Sequence, residues 1–359
     1  TGAGDAFNDG FMVAWLRGAL GLPEGFVGTS HDTAATATLS AVLTMRERAL
    51  DWRGLDEGLS GGVNGGPTLR FYASPEAHSS VDKAIRVAGI GQRNLVKVAV
   101  DATRAMTGAA LKAAIAADRA AGFLPAGVIL CAGGTSIGAF DHIGDCIAVA
   151  HAAGLPVHVD AAWAGSAMIC EEFRGLWTGI EGADSIVFNP HKWLGAQFDC
   201  SVQFLRDPGA QVRTLGLRPT YLETAGREEV INFNEWTVPL GRRFRALKLW
   251  FSLRAYGLEG LRTRIRNHVA WAAEARDQLA ALPGVSIITE PRLSLFTFAL
   301  RDDAATEALF TRINDDGRIY LTQTRVDGRF AIRVTVGTFD CTREDVMLIS
   351  RTVKELLAS

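Results

Sequence analysis

The chain has 359 residues, of which 48% are hydrophobic and 21% charged, a balance typical of a soluble globular protein with a large and a smaller domain. Its formal net charge of -2 provides no basic field for nucleic acid or anionic membranes, so neither is expected as a partner. The five cysteines are scattered without CxxC spacing, which predicts reduced thiols in a cytoplasmic protein and argues against a disulfide framework or a bound metal.

Residues 1–12, TGAGDAFNDGFM, fit poorly with the rest of the chain and are interpreted as an atypical N-terminal stretch. Their GAGD motif resembles the glycine-rich turn of ribokinase-like sugar kinases, but such a short motif is weak evidence. In those kinases the motif lies late in the chain, behind a sugar- and nucleotide-binding body that is missing here. We therefore interpret the stretch as a helix start or a junction. The stretch lacks a signal-peptide pattern. It also lacks a starting Met, which predicts a fragment or a processed chain.

The next elements are predicted from their cap and stop residues. A helix that includes WLRGAL is predicted to end at Gly21 and Pro23. Residues 28–32 are predicted to form a turn, after which Thr33 can cap the following helix. A glycine-rich surface loop and the short strand LRFYAS then lead to His78. A histidine at such a helix entry is usually a cap or a surface group.

Between LRFYAS and CSVQFL, apolar runs of strand length alternate with helical stretches of 10–15 residues. This alternation predicts a mainly parallel, doubly wound α/β sheet. Ligands of such sheets bind beyond the carboxyl ends of the strands. Thr135, Asp160 and Lys192 all lie at or after the ends of predicted strands, so we expect them at that edge. Beyond Gly241, helices broken at Gly257 and a set of short strands predict a smaller α+β domain.

Asp160 and Lys192 are the two residues whose side chains most directly predict a catalytic function. Asp160 ends the apolar run LPVHVD, and Lys192 is one of only six lysines among the 37 basic residues. In an α/β cleft, a lysine can hold pyridoxal phosphate as a Schiff base while an aspartate pairs with its pyridine nitrogen. A structural ion pair is the alternative that the spacing alone leaves open.

Four motifs in this order, HVDAAWAGSA, NPHKWL, PTYL and PLGRRFRALKLWF, resemble those of the group II pyridoxal-phosphate-dependent decarboxylases. The branch that they resemble is that of the aromatic-L-amino-acid decarboxylases acting on tyrosine, DOPA or tryptophan. The resemblance runs from about Val13 to about Leu357. It implies a fold-type-I α/β fold with a mainly parallel seven-stranded sheet. Residues 13–250 would form the large cofactor-binding domain and residues 251–359 the small C-terminal domain.

The resemblance also implies the site residues. The phosphate would be bound at the helix start formed by Thr33, Ala34 and Ala35, where the family usually has Ser in place of Ala35. Around the ring and its attachment the resemblance implies His78, Thr135, Asp160, Ala162, Asn189, His191 and Lys192. His78 would stack on the ring opposite Ala162, and His191 would move protons. Tyr221, in PTYL, would protonate the substrate carbon after decarboxylation.

The expected reaction is decarboxylation of an L-amino acid, with an aromatic side chain, to the amine and carbon dioxide in a cytoplasmic homodimer. Two alternatives stay open: another outcome of the same fold, on a glutamate-like substrate or giving an aldehyde, and an inactive truncated homologue. Tyr221 argues against the aldehyde branch, where the resemblance would predict Phe. The family's N-terminal segment, which wraps the partner subunit, is expected to be missing. Weak cofactor binding, association and low activity are therefore expected of the 359-residue chain.

Overall fold

The computed structural model of the chain describes residues 3–59, 68–217 and 231–358, with the backbone alone for residues 3–9. The chain is divided into two compact units. The first unit comprises Thr1–Ala132 and Phe140–Gly257, and the second comprises Gly133–Ala139 and Leu258–Ser359. Within the described ranges, no helix is long and apolar enough to cross a membrane.

The first unit alternates strands and helices along most of its length. Its strands are β1 (Val27–His31), β2 (Leu69–Ala73), β3 (Leu95–Lys97), β4 (Leu124–Cys131), β5 (Val157–Asp160), β6 (Ser185–Phe188) and β7 (Ser201–Leu205). Its helices are α1 (Ala3–Leu20), α2 (Ala34–Ala49), α3 (Gly54–Glu57), α4 (Ser79–Val87), α5 (Gly108–Ala120), α6 (Ile143–Ala152), α7 (Pro190–Trp193) and α8 (Pro208–Leu215), followed by the start of α9 (Arg245–Ala280).

The seven strands form one sheet in the order β1-β7-β6-β5-β4-β2-β3. The pairings from β3 across to β6 are parallel, and β7 pairs antiparallel with both β6 and β1. This confirms the predicted α/β fold with a mainly parallel sheet. β5, which ends in Asp160, lies in the middle of the sheet, with every residue buried. A central parallel strand is covered on both faces, which is why even its polar residues, His158 and Asp160, are buried.

The turn predicted at residues 28–32 is wrong, because residues 27–31 form β1. β1 pairs with β7 over its whole length, from Val27 opposite Leu205 to His31 opposite Ser201. Gly28 permits this close pairing, since a Cβ atom there would clash with the Gln203 carbonyl oxygen. The small and polar residues of this strand suggested a turn, whereas its state is decided by a partner strand far along the chain.

The second unit is an α+β assembly built on an antiparallel sheet. After α9, it contains β8 (Ser286–Arg292), β9 (Leu295–Ala299), α10 (Asp303–Asp316), β10 (Thr322–Val326), β11 (Arg329–Thr335) and α11 (Arg343–Ala358). The sheet order is β10-β11-β9-β8. Phe296, Phe298 and Ile332 are fully buried in its core. Gly257 interrupts α9 with φ 65° and ψ 170°, which confirms the helix break predicted there.

Candidate active site

Asp160 lies at the carboxyl end of β5, with its side chain buried. Its Oδ1 accepts a hydrogen bond of 3.0 Å from the backbone N–H of Ala162. Burial raises the pKa of Asp160, and the nearby Lys192, the hydrogen bond from the Ala162 N–H and the nearby His78 oppose that shift. The structure therefore brings Lys192 and His78 within electrostatic reach of a carboxylate that is largely removed from water.

The loop carrying Lys192 is attached directly to the loop that follows Asp160. The backbone N–H of Asn189 donates to the carbonyl oxygen of Ala162 at 2.7 Å, and that of Lys192 donates to the carbonyl of Asn189 at 2.9 Å. The Asn189 side-chain Oδ1 accepts from the Ser201 hydroxyl at 2.6 Å, which fixes the loop to β7. Lys192 itself is exposed in the short helix α7, where its amine can reach a ligand.

His191 is half-buried and held in one tautomer. Its Nδ1 accepts a hydrogen bond of 2.9 Å from the backbone N–H of Cys200, so the neutral ring carries its proton on Nε2. Burial lowers the pKa of His191, and the nearby Lys192 charge lowers it further. The ring packs edge-on against Phe198, with the two ring centroids 4.9 Å apart. At neutral pH this histidine is therefore an uncharged hydrogen-bond donor beside the lysine.

His78 caps α4 with the same tautomer. Its Nδ1 accepts from the Ser80 backbone N–H at 3.1 Å and lies 2.8 Å from the Ser80 hydroxyl oxygen. The neutral ring therefore carries its proton on Nε2. The residue is exposed, and it lies close enough to Asp160 to influence the pKa of that carboxyl. Capping and an exposed ring are compatible in one residue, so the cap interpretation and the cofactor interpretation do not exclude each other.

The start of α2 lies beside these loops. Thr33 occupies the N-cap position in an extended conformation, and no described side chain caps the helix there. Ala34 and Ala37 pack with Val187 of β6 and with Ala162, which places the helix start next to the residue bonded to Asp160. The amino end of a helix of 16 residues attracts anions through its backbone N–H groups and its dipole. Ala35 is exposed at this end and offers no hydroxyl.

Comparisons with known proteins agree with this geometry. Residues 9–301 match the family model described as pyridoxal-dependent decarboxylase conserved domain. The chain belongs to this family. It is 38% identical to aromatic-L-amino-acid decarboxylase of Sus scrofa over 90% of this chain and 68% of that protein. The structure of Oryza sativa TDC with PLP and tryptamine is 33% identical, with a TM-score of 0.92, over 98% of this chain and 76% of that one.

A third similar protein is Rhodiola rosea 4-hydroxyphenylacetaldehyde synthase, whose structure is known. It is 28% identical, with a TM-score of 0.90, and the match covers 99% of this chain and 75% of that one. Family membership makes this chain a carboxy-lyase whose cofactor is pyridoxal phosphate.

The residues of this decarboxylase fit pyridoxal phosphate. Lys192 would attach it through its amine, buried Asp160 would pair with the pyridine nitrogen, and the N–H groups at the start of α2 would bind the phosphate. The bound cofactor supplies an electron sink for the electron pair that the departing carboxylate leaves behind. Asp160 would keep a proton on that nitrogen, and Nε2 of His191 and of His78 could donate hydrogen bonds nearby.

Two predicted residues of the decarboxylase site lie outside the described part of the first unit. Thr135 belongs to the segment Gly133–Ala139 of the second unit and is exposed, so its expected place near the cofactor stays a prediction. Tyr221 lies outside the described residues. The individual roles of the other site residues also stay predictions. No group of His, Cys, Asp and Glu residues in the described ranges could hold a metal ion.

Asp199 anchors the lysine loop and was missed by sequence reasoning. It binds Arg245 through two contacts of 3.1 Å, and Lys248 lies 3.5 Å from its Oδ1. Burial would raise the pKa of Asp199, but Arg245 and Lys248 hold it below its ordinary value. This ion pair ties the segment bearing Phe198, and through it His191, to the start of α9. In the sequence, the only signal for this role of Asp199 is its closeness to the NPHKW motif.

Proposed function

We propose that this chain decarboxylates an aromatic L-amino acid to the corresponding amine and carbon dioxide. The proposal depends on one observation: Asp160, Lys192 and the start of α2 lie close together in the first unit. Similarity to aromatic-L-amino-acid decarboxylase of Sus scrofa supports the aromatic class of substrate, as does similarity to the Oryza sativa structure that contains tryptamine.

A substrate panel tests the proposal. Purified protein with added pyridoxal phosphate is incubated with tryptophan, tyrosine, DOPA, phenylalanine and glutamate, and amine and carbon dioxide are quantified together. We expect equal amounts of amine and carbon dioxide from at least one aromatic substrate, and loss of both in Lys192→Ala. Turnover of glutamate without turnover of any aromatic substrate would overturn the substrate class but leave the decarboxylase activity standing.

A second candidate outcome is oxidative formation of an aldehyde. Similarity to Rhodiola rosea 4-hydroxyphenylacetaldehyde synthase supports it. Tyr221 opposes it, because a tyrosine hydroxyl can return a proton to the substrate carbon and so direct the reaction to the amine. Assays for aldehyde, ammonia and hydrogen peroxide distinguish the outcomes. We expect Tyr221→Phe to suppress amine formation and to increase carbonyl product, whereas unchanged amine output would remove Tyr221 from the mechanism.

We further propose that the protein acts as a homodimer through the apolar face at the start of α9. Leu247, Trp250 and Phe251 are spaced to share one helix face and are 40%, 41% and 56% exposed. Val238, Leu240 and Phe244, just before them, are also at least 41% exposed. An apolar surface of this kind in one stretch of chain is typical of a protein interface.

Light scattering after size exclusion tests the dimer. We expect the mass of two chains for the unchanged protein and of one chain for Leu247→Glu. Leu357→Glu is the matched control, because Leu357 is 37% exposed in the second unit. Equal masses for the two variants would refute the proposed interface.

We also propose a cytoplasmic location. None of the five cysteines, all within the described ranges, is joined in a disulfide, and four of them are buried, as suits a reducing compartment. Fractionation of the source cells with an antibody against the protein tests this, and recovery from a secreted fraction would overturn it.

A further inference from the structure

A network of six buried polar side chains runs beneath α2, crossing the sheet from β5 to β1. Each member is at most 4% exposed. The members are Thr38, His158, Ser185, Gln203, Gln211 and His31. Thr38 lies on α2 and Gln211 on α8, while the other four lie on β5, β6, β7 and β1. Buried polar groups need partners, and here the six side chains hydrogen-bond to one another in series.

The direction of the hydrogen bonds is fixed from one end by a backbone carbonyl. Gln211 Nε2 lies 2.7 Å from the Trp236 carbonyl oxygen, which can only accept, so this atom is the amide nitrogen. Gln211 Oε1 then accepts from Gln203 Nε2 at 3.1 Å, and Gln211 Nε2 donates back to Gln203 Oε1 at 3.0 Å. His31 Nε2 lies 2.8 Å from the same Gln203 Oε1 and must therefore carry a proton.

The other arm follows from the second amide proton of Gln203. Gln203 Nε2 donates to the Ser185 hydroxyl at 2.9 Å. The Ser185 hydroxyl, which has its own proton to donate, lies 2.9 Å from His158 Nδ1 and donates to that atom. His158 Nε2 then donates to the Thr38 hydroxyl at 3.2 Å. One consistent direction thus runs from Gln203 to α2, with both histidines neutral.

The charge state of the histidines agrees with this direction. Burial lowers the pKa of His31 to about 4, with a further contribution from Arg242. Burial also lowers the pKa of His158 to about 3, and His31 contributes. The Nδ1 atom of His31 has no hydrogen-bond partner among the described residues, so a second proton there would be a buried donor without an acceptor.

The network lies directly behind both groups expected to hold the cofactor. His158 precedes Asp160 by two residues in β5, so the two side chains leave the strand on the same face. Thr38 follows Ala34 by about one turn of α2. The bond between Thr38 and His158 therefore ties the helix that would bind the phosphate to the strand that would bind the ring nitrogen.

We infer that this network fixes the position of the start of α2 relative to Asp160, so that the phosphate and the ring nitrogen of the cofactor are bound at the same time. The inference rests on the proposed function only through the identity of the cofactor. Loss of one hydrogen bond of the network would let α2 move relative to β5. Fewer protein molecules would then hold the start of α2 and Asp160 at the spacing that the cofactor requires. The apparent affinity for the cofactor falls in proportion to that fraction of molecules. The network residues are positioning residues, one layer behind the site.

Matched variants of two residues of α2 test this inference. Thr38→Val removes the hydroxyl at constant shape, and Thr38→Ser keeps it. Ser40→Ala is the control, because the buried Ser40 hydroxyl donates to the Thr36 carbonyl of its own helix, at 3.0 Å. Pyridoxal phosphate is titrated into apoprotein, with the visible absorption band of the lysine-bound cofactor and the yield of borohydride-trapped label as readouts.

We expect Thr38→Val to raise the dissociation constant about five- to thirtyfold, as the loss of one buried hydrogen bond allows. Thr38→Ser and Ser40→Ala should stay within about twofold. At saturating cofactor, kcat of Thr38→Val should stay within about threefold of the unchanged protein, because the reacting groups are intact. Equal weakening by Thr38→Val and Ser40→Ala, or no weakening by Thr38→Val, would overturn the inference.

A second pair serves if Thr38→Val does not fold. His31→Gln replaces one N–H donor to Gln203 by another, whereas His31→Met removes it. We expect a weaker cofactor affinity for His31→Met, by about fivefold or more, and near-normal affinity for His31→Gln. Equal affinities for the pair would refute the role of the network. If the unchanged protein bound no pyridoxal phosphate at all, the assigned cofactor would fail instead, so the two failures are distinguishable.

Discussion

The backbone N–H of Asn189 donates a hydrogen bond of 2.7 Å to the carbonyl oxygen of Ala162. This bond joins the loop that leads into Lys192 with the loop that leaves Asp160. The Ala162 N–H in turn donates to Asp160 Oδ1 at 3.0 Å. A single residue thus couples the lysine loop to the buried carboxylate, through one bond between two backbone groups and one from a backbone N–H to the carboxylate.

The first prediction concerns the attachment site of the cofactor. Borohydride treatment of the protein with pyridoxal phosphate should place the label on Lys192, because this amine lies within electrostatic reach of Asp160. Peptide mapping by mass spectrometry checks the position. Lys112→Ala is the matched control, since Lys112 is exposed on α5 and its loss should not affect labelling of Lys192. Label on any other lysine would contradict the assignment.

The second prediction concerns the buried carboxylate. Asp160→Asn removes the charge that would hold a proton on the pyridine nitrogen, so we expect a fall in kcat of about 100-fold or more. Asp160→Glu keeps the charge on a longer side chain and should retain more activity than Asp160→Asn. Steady-state kinetics at saturating cofactor measure both. An Asp160→Asn variant with normal kcat would show that the carboxylate has only a structural role.

The third prediction concerns the phosphate. Ala35 is exposed at the start of α2, so a hydroxyl added there can reach an anion bound by the helix. Ala35→Ser should tighten cofactor binding by about 1.5–3 kcal/mol at most, the range for a hydrogen bond to a charged group. Cofactor titration measures the change. Ala35→Gly is the control for backbone effects, and an unchanged or weaker affinity in Ala35→Ser would mean that backbone N–H groups already satisfy the phosphate.

The fourth prediction concerns acid stability. On folding, the pKa of His31 falls from 6.5 to about 4 and that of His158 falls from 6.5 to about 3. At a pH between the folded and the unfolded pKa of each histidine, the unfolded chain therefore binds more protons than the folded chain. Their contribution to the free energy of unfolding is therefore complete above about pH 6.5 and is lost progressively as pH falls from there to about 4 and 3. It is on the order of 3 kcal/mol for His31.

Urea unfolding at about pH 7.5 and about pH 4.5, on either side of the ordinary histidine pKa, measures this contribution. We expect His31→Gln to lose less stability between the two pH values than the unchanged protein, because glutamine does not titrate. His151→Gln is the control, since His151 is exposed and its side chain is 41% accessible. An identical pH dependence in His31→Gln and the unchanged protein would contradict the role assigned to burial.

Local sequence patterns were sufficient to predict the alternating α/β order, the break at Gly257, and the placement of Asp160 at the end of a strand and Lys192 after one. These features depend on periodicity, on glycine and on the rule that ligands bind beyond the carboxyl ends of parallel strands. The central strand β5 was recognisable from the short run LPVHVD, in which Leu155, Val157 and Val159 are apolar.

Tertiary structure alone decided the features that depend on distant partners. Residues 27–31 are a strand because β7 pairs with them, although their composition favours a turn. His31 meets Gln203 across 172 positions of sequence, and Asp199 meets Arg245 across 46. No local pattern encodes such pairs, because each residue alone is equally compatible with the surface. Burial between packed elements gives these polar groups their partners, their direction of donation and their shifted pKa values.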